Sequence, residues 1–249
     1  DMPMTWKIPL FKPDLGQEEL EAIQQPLMEN WLAMGPVTEA LEAEFSAMVG
    51  APHSVAVTNG TAALHLALVC HGIAPGDEVI VPSMSFVASA NAVRYCGASV
   101  VYADITSPVK PSIDPADIER RITAKTKAII VVHYAGFACD MTAILALANQ
   151  HQLIVIEDCA HALPAGYEGK KLGSLGSTGC FSFYSNKNIT CAEGGMIVCH
   201  DEQLASELRL RRNHGMSRTT PEDNRPLTVG YDCAVLGFNY RLDEIRASL

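Results

Sequence analysis

Seven short apolar runs rich in β-branched residues recur along the 249-residue chain and predict the strands of a sheet. Helical patterns separate the earlier runs, among them TAALHLALVCHG, which Gly72 closes, and DMTAILALANQHQ. Strands that are apolar throughout and alternate with helices are typical of a mostly parallel sheet covered on both faces, so we predict an α/β fold. The runs are SVAVT (54–58), EVIVP (78–82), SVVYA (99–103), KAIIVVH (127–133), LIVIED (153–158), GCFSF (179–183) and MIVC (196–199).

Composition narrows the kinds of partner. The formal net charge of −10 argues against a protein that binds nucleic acid through its overall electrostatic field. No apolar run approaches the length of a membrane span, so we expect no membrane partner. Eight cysteines stand singly, without a CxxC pair and mostly in apolar runs, which is typical of reduced thiols in a cytoplasmic protein. They are Cys70, Cys96, Cys139, Cys159, Cys180, Cys191, Cys199 and Cys233.

Two segments in the last part of the chain stand out. SRTTPEDNRPLTVGYD (217–232) is a long, polar, proline-containing stretch, which we interpret as a mobile or partner-facing loop. FNYRLDEIRASL (238–249) has the pattern of a helix still under way, with no Gly or Pro to stop it. We therefore expect that the 249 residues are a fragment of a longer chain.

Polar residues follow the first predicted strand and open the next helix. In TNGTAALHLAL, Thr58, Asn59, Gly60 and Thr61 offer hydroxyls, free amides and the positive end of a helix dipole, which together make a phosphate site. An ordinary helix cap explains this stretch equally well. The nucleotide loops GxGxxG and GxxxxGK[ST] are both absent, so a phosphate here does not imply a dinucleotide or ATP.

Another strand, in IVIEDCAHA, runs directly into Glu157, Asp158 and His161. A buried carboxylate is costly unless a cation or hydrogen-bond donors meet it. A capping aspartate beside a satisfied core histidine is the simpler interpretation. A serine hydrolase is disfavoured because no GxSxG elbow is present. Zinc ligation is an alternative by residue type, although the spacing matches no short zinc motif; its ligands would be His133, Cys139, Cys159 and His161.

A single lysine lies between two strand-like runs in FSFYSNKNITCAEGGMIVC (181–199). Lys187 follows one strand end, and Phe86, in PSMSFVASANAV, follows another and could cover a planar ligand. A phosphate cradle, an aromatic face, a buried carboxylate and a strand-end lysine are the parts that a pyridoxal-phosphate site requires. We therefore predict that this vitamin B6 cofactor binds where these strand ends meet, and that no metal does.

Long, ordered strings along the whole chain resemble the DegT-type aminotransferases, a family of fold type I pyridoxal-phosphate enzymes that aminate keto sugars attached to nucleotides. The resemblance implies an aspartate-aminotransferase-like large domain with a mostly parallel seven-stranded sheet. VVHYAG, EDCAHA and KNITCAEGG are most similar to the subgroup that makes UDP-4-amino-4-deoxy-arabinose and related 4-amino sugars. Other matching strings are IPLFKPDLGQEELEAI, NWLAMGPVTEALE, TNGTAALHLAL, GDEVIVPSMSFVASANA, TKAIIVVHYAG and GFNYRLDEI.

The family pattern also implies a role for each matching residue. Lys187 would form the Schiff base, Asp158 would pair with the pyridine nitrogen, Phe86 would stack on the ring, and His161 would lie beside the 3-hydroxyl. The phosphate would be held by the mouth of the helix at Gly60, Thr61 and the amide of Ala62, joined by Ser182. Asn239 would reach the neighbouring subunit's cofactor, which implies a homodimer. The implied reaction is a ping-pong transfer from L-glutamate to a keto group of a nucleotide-linked (UDP or dTDP) sugar.

Two departures from the family pattern affect these expectations. The position before GP, often Ser or Thr in relatives, lies in Ala33-Met34, which weakens the expected substrate contacts. Family members also continue into a smaller C-terminal domain, so we assign 1–249 to the large domain, with an N-terminal arm over about 1–35. A relative that aminates a free cyclitol ketone and a catalytically silent binding domain are the alternative functions. His133, Arg212 and His214 are assigned to loops, where they could face substrate or solvent.

Overall fold

The computed structural model describes residues 8–9, 11–218 and 231–249 of the chain. The helices are α1 (Gln17–Glu29), α2 (Pro36–Val49), α3 (Gly60–Cys70), α4 (Val87–Tyr95), α5 (Pro115–Arg121), α6 (Met141–His151), α7 (Glu202–Arg212) and α8 (Glu244–Ala247), with a 3-10 turn at Tyr134–Gly136. The strands are β1 (His53–Val57), β2 (Glu78–Pro82), β3 (Ser99–Ala103), β4 (Thr126–Val132), β5 (Ile154–Asp158), β6 (Gly166–Tyr167), β7 (Lys170–Lys171), β8 (Thr178–Ser182), β9 (Gly195–Cys199), β10 (Met216–Arg218) and β11 (Tyr231–Cys233).

Seven of these strands form one sheet in the order β1-β9-β8-β5-β4-β2-β3. The pairs among β3, β2, β4, β5 and β8 are parallel, whereas β9 runs antiparallel to both β8 and β1. The predicted α/β fold with a mostly parallel seven-stranded sheet is therefore confirmed. Because all the other strands share one direction, their carboxyl ends meet at one edge of the sheet, where β9 begins.

Both faces of the sheet are buried, as the apolar runs predict, except at the edge strand β3, where Ser99 and Tyr102 are exposed. Alternate residues of one strand pack on opposite sides: Val79 and Val81 belong to the core under α3, α4 and α7, whereas Ile80 belongs to the core under α5 and α6. The side that carries α5 and α6 continues beneath α2, where Phe45 lies edge-on to Phe181 with ring centroids 4.9 Å apart. This double coverage explains why the strands read as unbroken apolar runs.

The end of the chain differs from the predicted helix. Only Glu244–Ala247 are helical, while residues 238–240 are extended. The amides of Phe238 and Tyr240 donate to the carbonyls of Arg211 and Arg212, and the Tyr240 carbonyl accepts from Thr58. These long-range backbone bonds replace the local bonds of a helix. Most of the predicted polar loop at 217–232 lies outside the described residues; its two ends pair as β10 and β11.

Two other assignments were wrong. His133 is 0% exposed directly after β4, and Arg212 is the last residue of α7, 5% exposed and paired with Glu42. His133 does lie in the segment between β4 and the 3-10 turn, but its side chain is buried like that of Arg212, so neither side chain is in an exposed position. His214 is exposed in the turn after α7. Five of the eight cysteines are buried as free thiols, and Cys233 is exposed. Among the described residues, no helix has both the length and the apolar character that a membrane crossing needs.

One buried carboxylate joins the last helix to the start of α2. Glu244 is 1% exposed and accepts bonds from the amides of Gly35, Val37 and Thr38 and from the Thr38 hydroxyl. Burial alone would raise the pKa of Glu244, but these hydrogen bonds outweigh it and lower the pKa below its ordinary value of 4.5. The negative charge at a helix N-terminus adds a favourable dipole interaction.

Glu244→Gln is expected to lower the free energy of unfolding by about 2 kcal/mol at pH 7, because three amides lose a charged acceptor. Since the folded-state pKa is depressed, the charged group stabilises the fold fully above pH 4.5 and less as the pH falls towards the folded value. The difference between wild type and variant should therefore shrink on acidification. Urea unfolding at pH 7 and pH 4 measures it, and a constant difference would contradict this account.

Candidate active site

One pocket of about 840 Å³ opens at the carboxyl edge of the sheet, between the ends of β5 and β8 and the beginnings of α3 and α4. Eight of the nine residues predicted from the sequence line it. They are Gly60, Thr61, Ala62, Phe86, Asp158, His161, Ser182 and Lys187. The sheet topology thus gathers residues from four separate segments into one cavity.

Asp158 ends β5 with its carboxylate on the pocket side, 6% exposed. Its Oδ2 accepts a hydrogen bond of 2.7 Å from the Ser89 hydroxyl, and its Oδ1 accepts one of 3.1 Å from the Ala160 amide. The backbone carbonyl of Asp158 accepts from the amide of His133, which continues the pairing between β4 and β5. Three bonds therefore fix both the strand end and the side chain.

The neighbouring carboxylate, Glu157, does not line the pocket and is fully buried. Its oxygens accept bonds from the amides of Gly173, Leu175 and Gly176 and face His133 Nε2 at 3.0 Å. Burial alone would raise the pKa of Glu157, but His133 and these amides outweigh it and lower the pKa. Glu157 thus anchors a loop and pairs with His133, whereas the histidine of the simpler interpretation, His161, is exposed and lines the pocket instead of lying in the core.

The four residues considered as zinc ligands do not assemble. His133 and Cys159 lie in a buried cluster with Glu157, where atoms of metal-binding type come within 4.8 Å of one another. Hydrogen bonds already engage both His133 nitrogens, one to Glu157 and one from the Cys139 amide. His161 lines the pocket instead. The arrangement therefore favours a hydrogen-bonded core cluster over a metal centre.

Lys187 lies in the loop that joins the antiparallel strands β8 and β9. Its amide donates to the carbonyl of Tyr184, closing a turn, and the neighbouring Asn188 side chain donates to the carbonyl of Leu163. Burial lowers the pKa of the Lys187 amine, while the negative charge of Asp158 acts in the opposite direction. A lowered pKa increases the neutral fraction of an amine, which is its nucleophilic form.

His161 stands beside Lys187 on the same pocket wall. Partial burial lowers the pKa of His161, and the Lys187 charge lowers it further against the opposing effect of Asp158. Its Nδ1 is 3.4 Å from the amide of Ala135, and its ring meets Tyr134 edge-on at 5.7 Å. An amide donor at Nδ1 leaves Nε2 as the protonated nitrogen of the neutral ring.

The predicted phosphate cradle is formed by close backbone packing between α3 and β8. A Cβ on Gly60 would lie 2.9 Å from Cβ of Ser182, so only glycine lets this helix start approach the strand end. Gly60 and Thr61 occupy the first two helical positions, whose amides have no acceptor within the helix. The Ala62 amide donates to Asn59 Oδ1 at 2.8 Å, so the helix-cap interpretation also holds.

Gly60→Ala is expected to weaken pyridoxal-phosphate binding by tenfold or more, because the added methyl group pushes Ser182 away from the amides. Titration of the visible absorption of the cofactor measures this affinity. Gly16→Ala is the matched control, since a Cβ there meets only Glu19 at 3.7 Å. Equal affinity in the wild type and Gly60→Ala would show that this contact is not part of the cofactor site.

Phe86 and Asn239 are the most accessible of the predicted residues. Phe86 is the N-cap of α4, is 72% exposed and lies at the pocket mouth. Asn239 is exposed and is not among the residues that line the pocket. Its neighbours Phe238 and Tyr240 turn inward and stack on each other at 5.0 Å, so the extended chain directs Asn239 outward. Its predicted reach into a neighbouring subunit stays a prediction.

Sequence reasoning missed several pocket residues. His65, Tyr95 and Tyr240 also line the cavity, and His65 Nδ1 lies 3.0 Å from the Tyr240 hydroxyl. His65 stands four residues after Thr61, one turn along α3, and this helical spacing is a signal that places both on one side of the helix. Ser89 lies in a helical run without any local signal, because its partner Asp158 is 69 residues away.

Comparisons with known proteins place this architecture. The chain is 44% identical to GDP-perosamine synthase of Caulobacter vibrioides over all of its length and 64% of that protein. It is 42% identical to the spore coat polysaccharide biosynthesis protein SpsC of Bacillus subtilis, over 97% of the chain and 62% of that protein. The chain thus spans less than two thirds of the length of these curated relatives.

Solved structures agree. The putative sugar aminotransferase Spr1654 of Streptococcus pneumoniae, in its PMP form, superposes with a TM-score of 0.92 at 30% identity, over 97% of this chain and 66% of that one. The same protein is also known in a PLP form. The sequence profile of the DegT/DnrJ/EryC1/StrS aminotransferase family matches residues 13–249. With this match over nearly the whole chain, the protein belongs to the DegT/DnrJ/EryC1/StrS aminotransferase family.

Proposed function

We propose that this chain is the cofactor-binding part of an enzyme that transfers an amino group from L-glutamate to a keto group of a nucleotide-linked deoxy sugar. The observation that carries the proposal is that Lys187 and Asp158, far apart in sequence, line one pocket together with a glycine-shaped helix start. Membership of an aminotransferase family supports the reaction class, and GDP-perosamine synthase and SpsC support a role in amino-sugar or polysaccharide biosynthesis.

The residues present fit pyridoxal phosphate. The amides of Gly60 and Thr61, at the start of α3, have no acceptor within the helix, and the absence of a side chain on Gly60 lets Ser182 approach this helix start, which suits a phosphate dianion. The buried carboxylate of Asp158 suits a protonated ring nitrogen, and Phe86 offers an aromatic face at the mouth. When bound, the cofactor supplies an aldehyde for covalent attachment to an amine and a ring that accepts electrons.

Each of the chain's own site residues has a separate role in the proposed reaction. Lys187 would anchor the cofactor covalently, and its free amine would carry a proton to and from the carbon that bears the donor's amino group. Asp158 keeps the ring nitrogen protonated. His161, protonated on Nε2, is a donor for an oxygen beside the aldehyde. Asn239, exposed outside the pocket, completes the phosphate site of a second subunit in a homodimer.

The sugar nucleotide is best identified by a direct screen. The motifs favour a 4-amino product such as UDP-4-amino-4-deoxy-arabinose, whereas one relative is a synthase of a GDP sugar. The protein in its full natural length, loaded with pyridoxal phosphate, should be assayed with L-glutamate against 3- and 4-keto sugars of UDP, dTDP and GDP. Amine formation on a nucleotide-linked sugar is the expected result.

The same experiments distinguish the two alternative functions. Turnover with a free cyclitol ketone and none with any nucleotide sugar would replace the proposed substrate class. A protein that shows no visible absorption change with pyridoxal phosphate would instead be a silent binding domain. Borohydride reduction before digestion and mass spectrometry is expected to fix the cofactor on the peptide that contains Lys187, and labelling elsewhere would overturn the assignment.

A further inference from the structure

The hydroxyl of Ser89 is buried against the carboxylate of Asp158, which lines the pocket. Ser89 is 0% exposed, and its Oγ donates to Asp158 Oδ2 at 2.7 Å. The other carboxylate oxygen accepts from the Ala160 amide at 3.1 Å. Each oxygen therefore has one fixed donor and one lone pair left, so the plane of the carboxylate is set before any ligand arrives.

The position of Ser89 links this carboxylate to the aromatic residue at the pocket mouth. Phe86 is the N-cap of α4, and Ser89 is three residues later in the first turn, with its amide donating to the Phe86 carbonyl at 3.2 Å. One helical turn therefore fixes both Phe86 and, through Ser89, the orientation of Asp158. A planar ring held by these two residues is located by a single rigid element.

The chemistry of the contact is directional. A hydroxyl that donates to a carboxylate favours its charged form over its neutral form. If the donor is removed, a proton shared between the carboxylate and a ring nitrogen moves towards the carboxylate. The ring nitrogen then loses positive charge and accepts electrons less readily. A donor to Asp158 thus influences the reacting ring without touching it.

We propose that Ser89 is a positioning residue that orients Asp158 and keeps it charged, so that the shared proton remains on the nitrogen of the bound cofactor. The inference rests on the proposed function, since it requires pyridoxal phosphate in the pocket. It assigns to the first turn of α4 the control of the ring's protonation state.

The test follows the ring nitrogen directly. The full-length protein is loaded with ¹⁵N-labelled pyridoxal phosphate, and the ¹⁵N resonance is compared among wild type, Ser89→Ala, Ser89→Thr and Ser54→Ala. Ser89→Ala is expected to shift the resonance from the protonated towards the neutral pyridine position and to weaken cofactor binding about fivefold. Ser89→Thr, which keeps the hydroxyl, is expected to retain the wild-type resonance.

Ser54→Ala is the control for loss of a buried hydroxyl, because Ser54 is 1% exposed and bonds Ser46 on the opposite part of the fold. It should lower stability without moving the resonance. If Ser89→Ala does not fold, Ser89→Cys, a weaker donor of similar size, is expected to give a smaller shift in the same direction. A wild-type resonance in the variant that lacks the hydroxyl would overturn the inference.

The two proposals fail in distinguishable ways. If borohydride does not attach the cofactor to Lys187 in the wild type, the proposed function itself is wrong. If the wild type is labelled there and only the ¹⁵N shift is missing in Ser89→Ala, the inference about Ser89 alone is wrong.

Discussion

The Lys187→Ala variant is expected to lose turnover by at least about a thousandfold, because it removes both the covalent anchor and the group that moves the proton. The fold should persist, because other side chains hold the loop. Asn188 and Thr190 form its side-chain hydrogen bonds, and Lys187 does not belong to the hydrophobic core beneath it. Initial rates with L-glutamate and borohydride labelling, followed by mass spectrometry, measure the two losses separately.

Lys127→Ala is the matched control for that experiment. Lys127 is exposed near the amino end of β4, at the opposite edge of the sheet from the pocket. This variant should keep full turnover and full labelling at Lys187. Turnover of Lys187→Ala at the wild-type level would exclude the proposed role of the lysine.

Asp158→Asn is expected to slow proton removal from the donor amino acid by a hundredfold or more, because a neutral amide cannot hold a positively charged ring nitrogen. The side chain keeps its size and one of its two acceptor oxygens, so the thermal unfolding temperature should change little. Exchange of the Cα hydrogen of glutamate with solvent deuterium, followed by NMR, measures this step.

The neighbouring carboxylate, Glu157, provides a control for Asp158→Asn. Glu157→Gln alters the same strand outside the pocket and disturbs bonds to Gly173, Leu175 and Gly176. It is expected to reduce the free energy of unfolding by about 2 kcal/mol while leaving deuterium exchange within about threefold of wild type. Equal exchange rates in the two variants would remove the distinction between a ring-binding and a structural carboxylate.

The local pattern of apolar, β-branched runs was sufficient to predict the strands of the sheet. The predicted runs 78–82 and 99–103 coincide with β2 and β3. β2 is apolar because it is buried on both faces, whereas β3, at the sheet edge, is only partly buried and was recognised by its β-branched residues. The local pattern was insufficient for 238–249, where bonds to Thr58, Arg211 and Arg212 override helical propensity. Arg212 was misplaced for the same reason, since its partner Glu42 lies 170 residues away.

The site was only partly readable from the sequence. The positions of Asp158 and Lys187 at strand ends indicated a site, and the family resemblance implied the roles proposed for them. The contact of Ser89 with Asp158 and the opposite burial of Glu157 depend on how strands and helices meet in space. Single hydroxyls and adjacent carboxylates carry no sequence signal for such partners.

The reversed direction of β9 has a consequence for the lysine. Ser182 pairs with Gly195 across the antiparallel strands, and the Phe183 amide donates to the Gly194 carbonyl. The segment that bears Lys187 is therefore a short loop closed at its base by backbone hydrogen bonds. The short loop therefore limits how far Lys187 can move from the pocket. In the proposed reaction, this loop would keep the free Lys187 amine at a high effective concentration near the cofactor's aldehyde, which a long open crossover would not do.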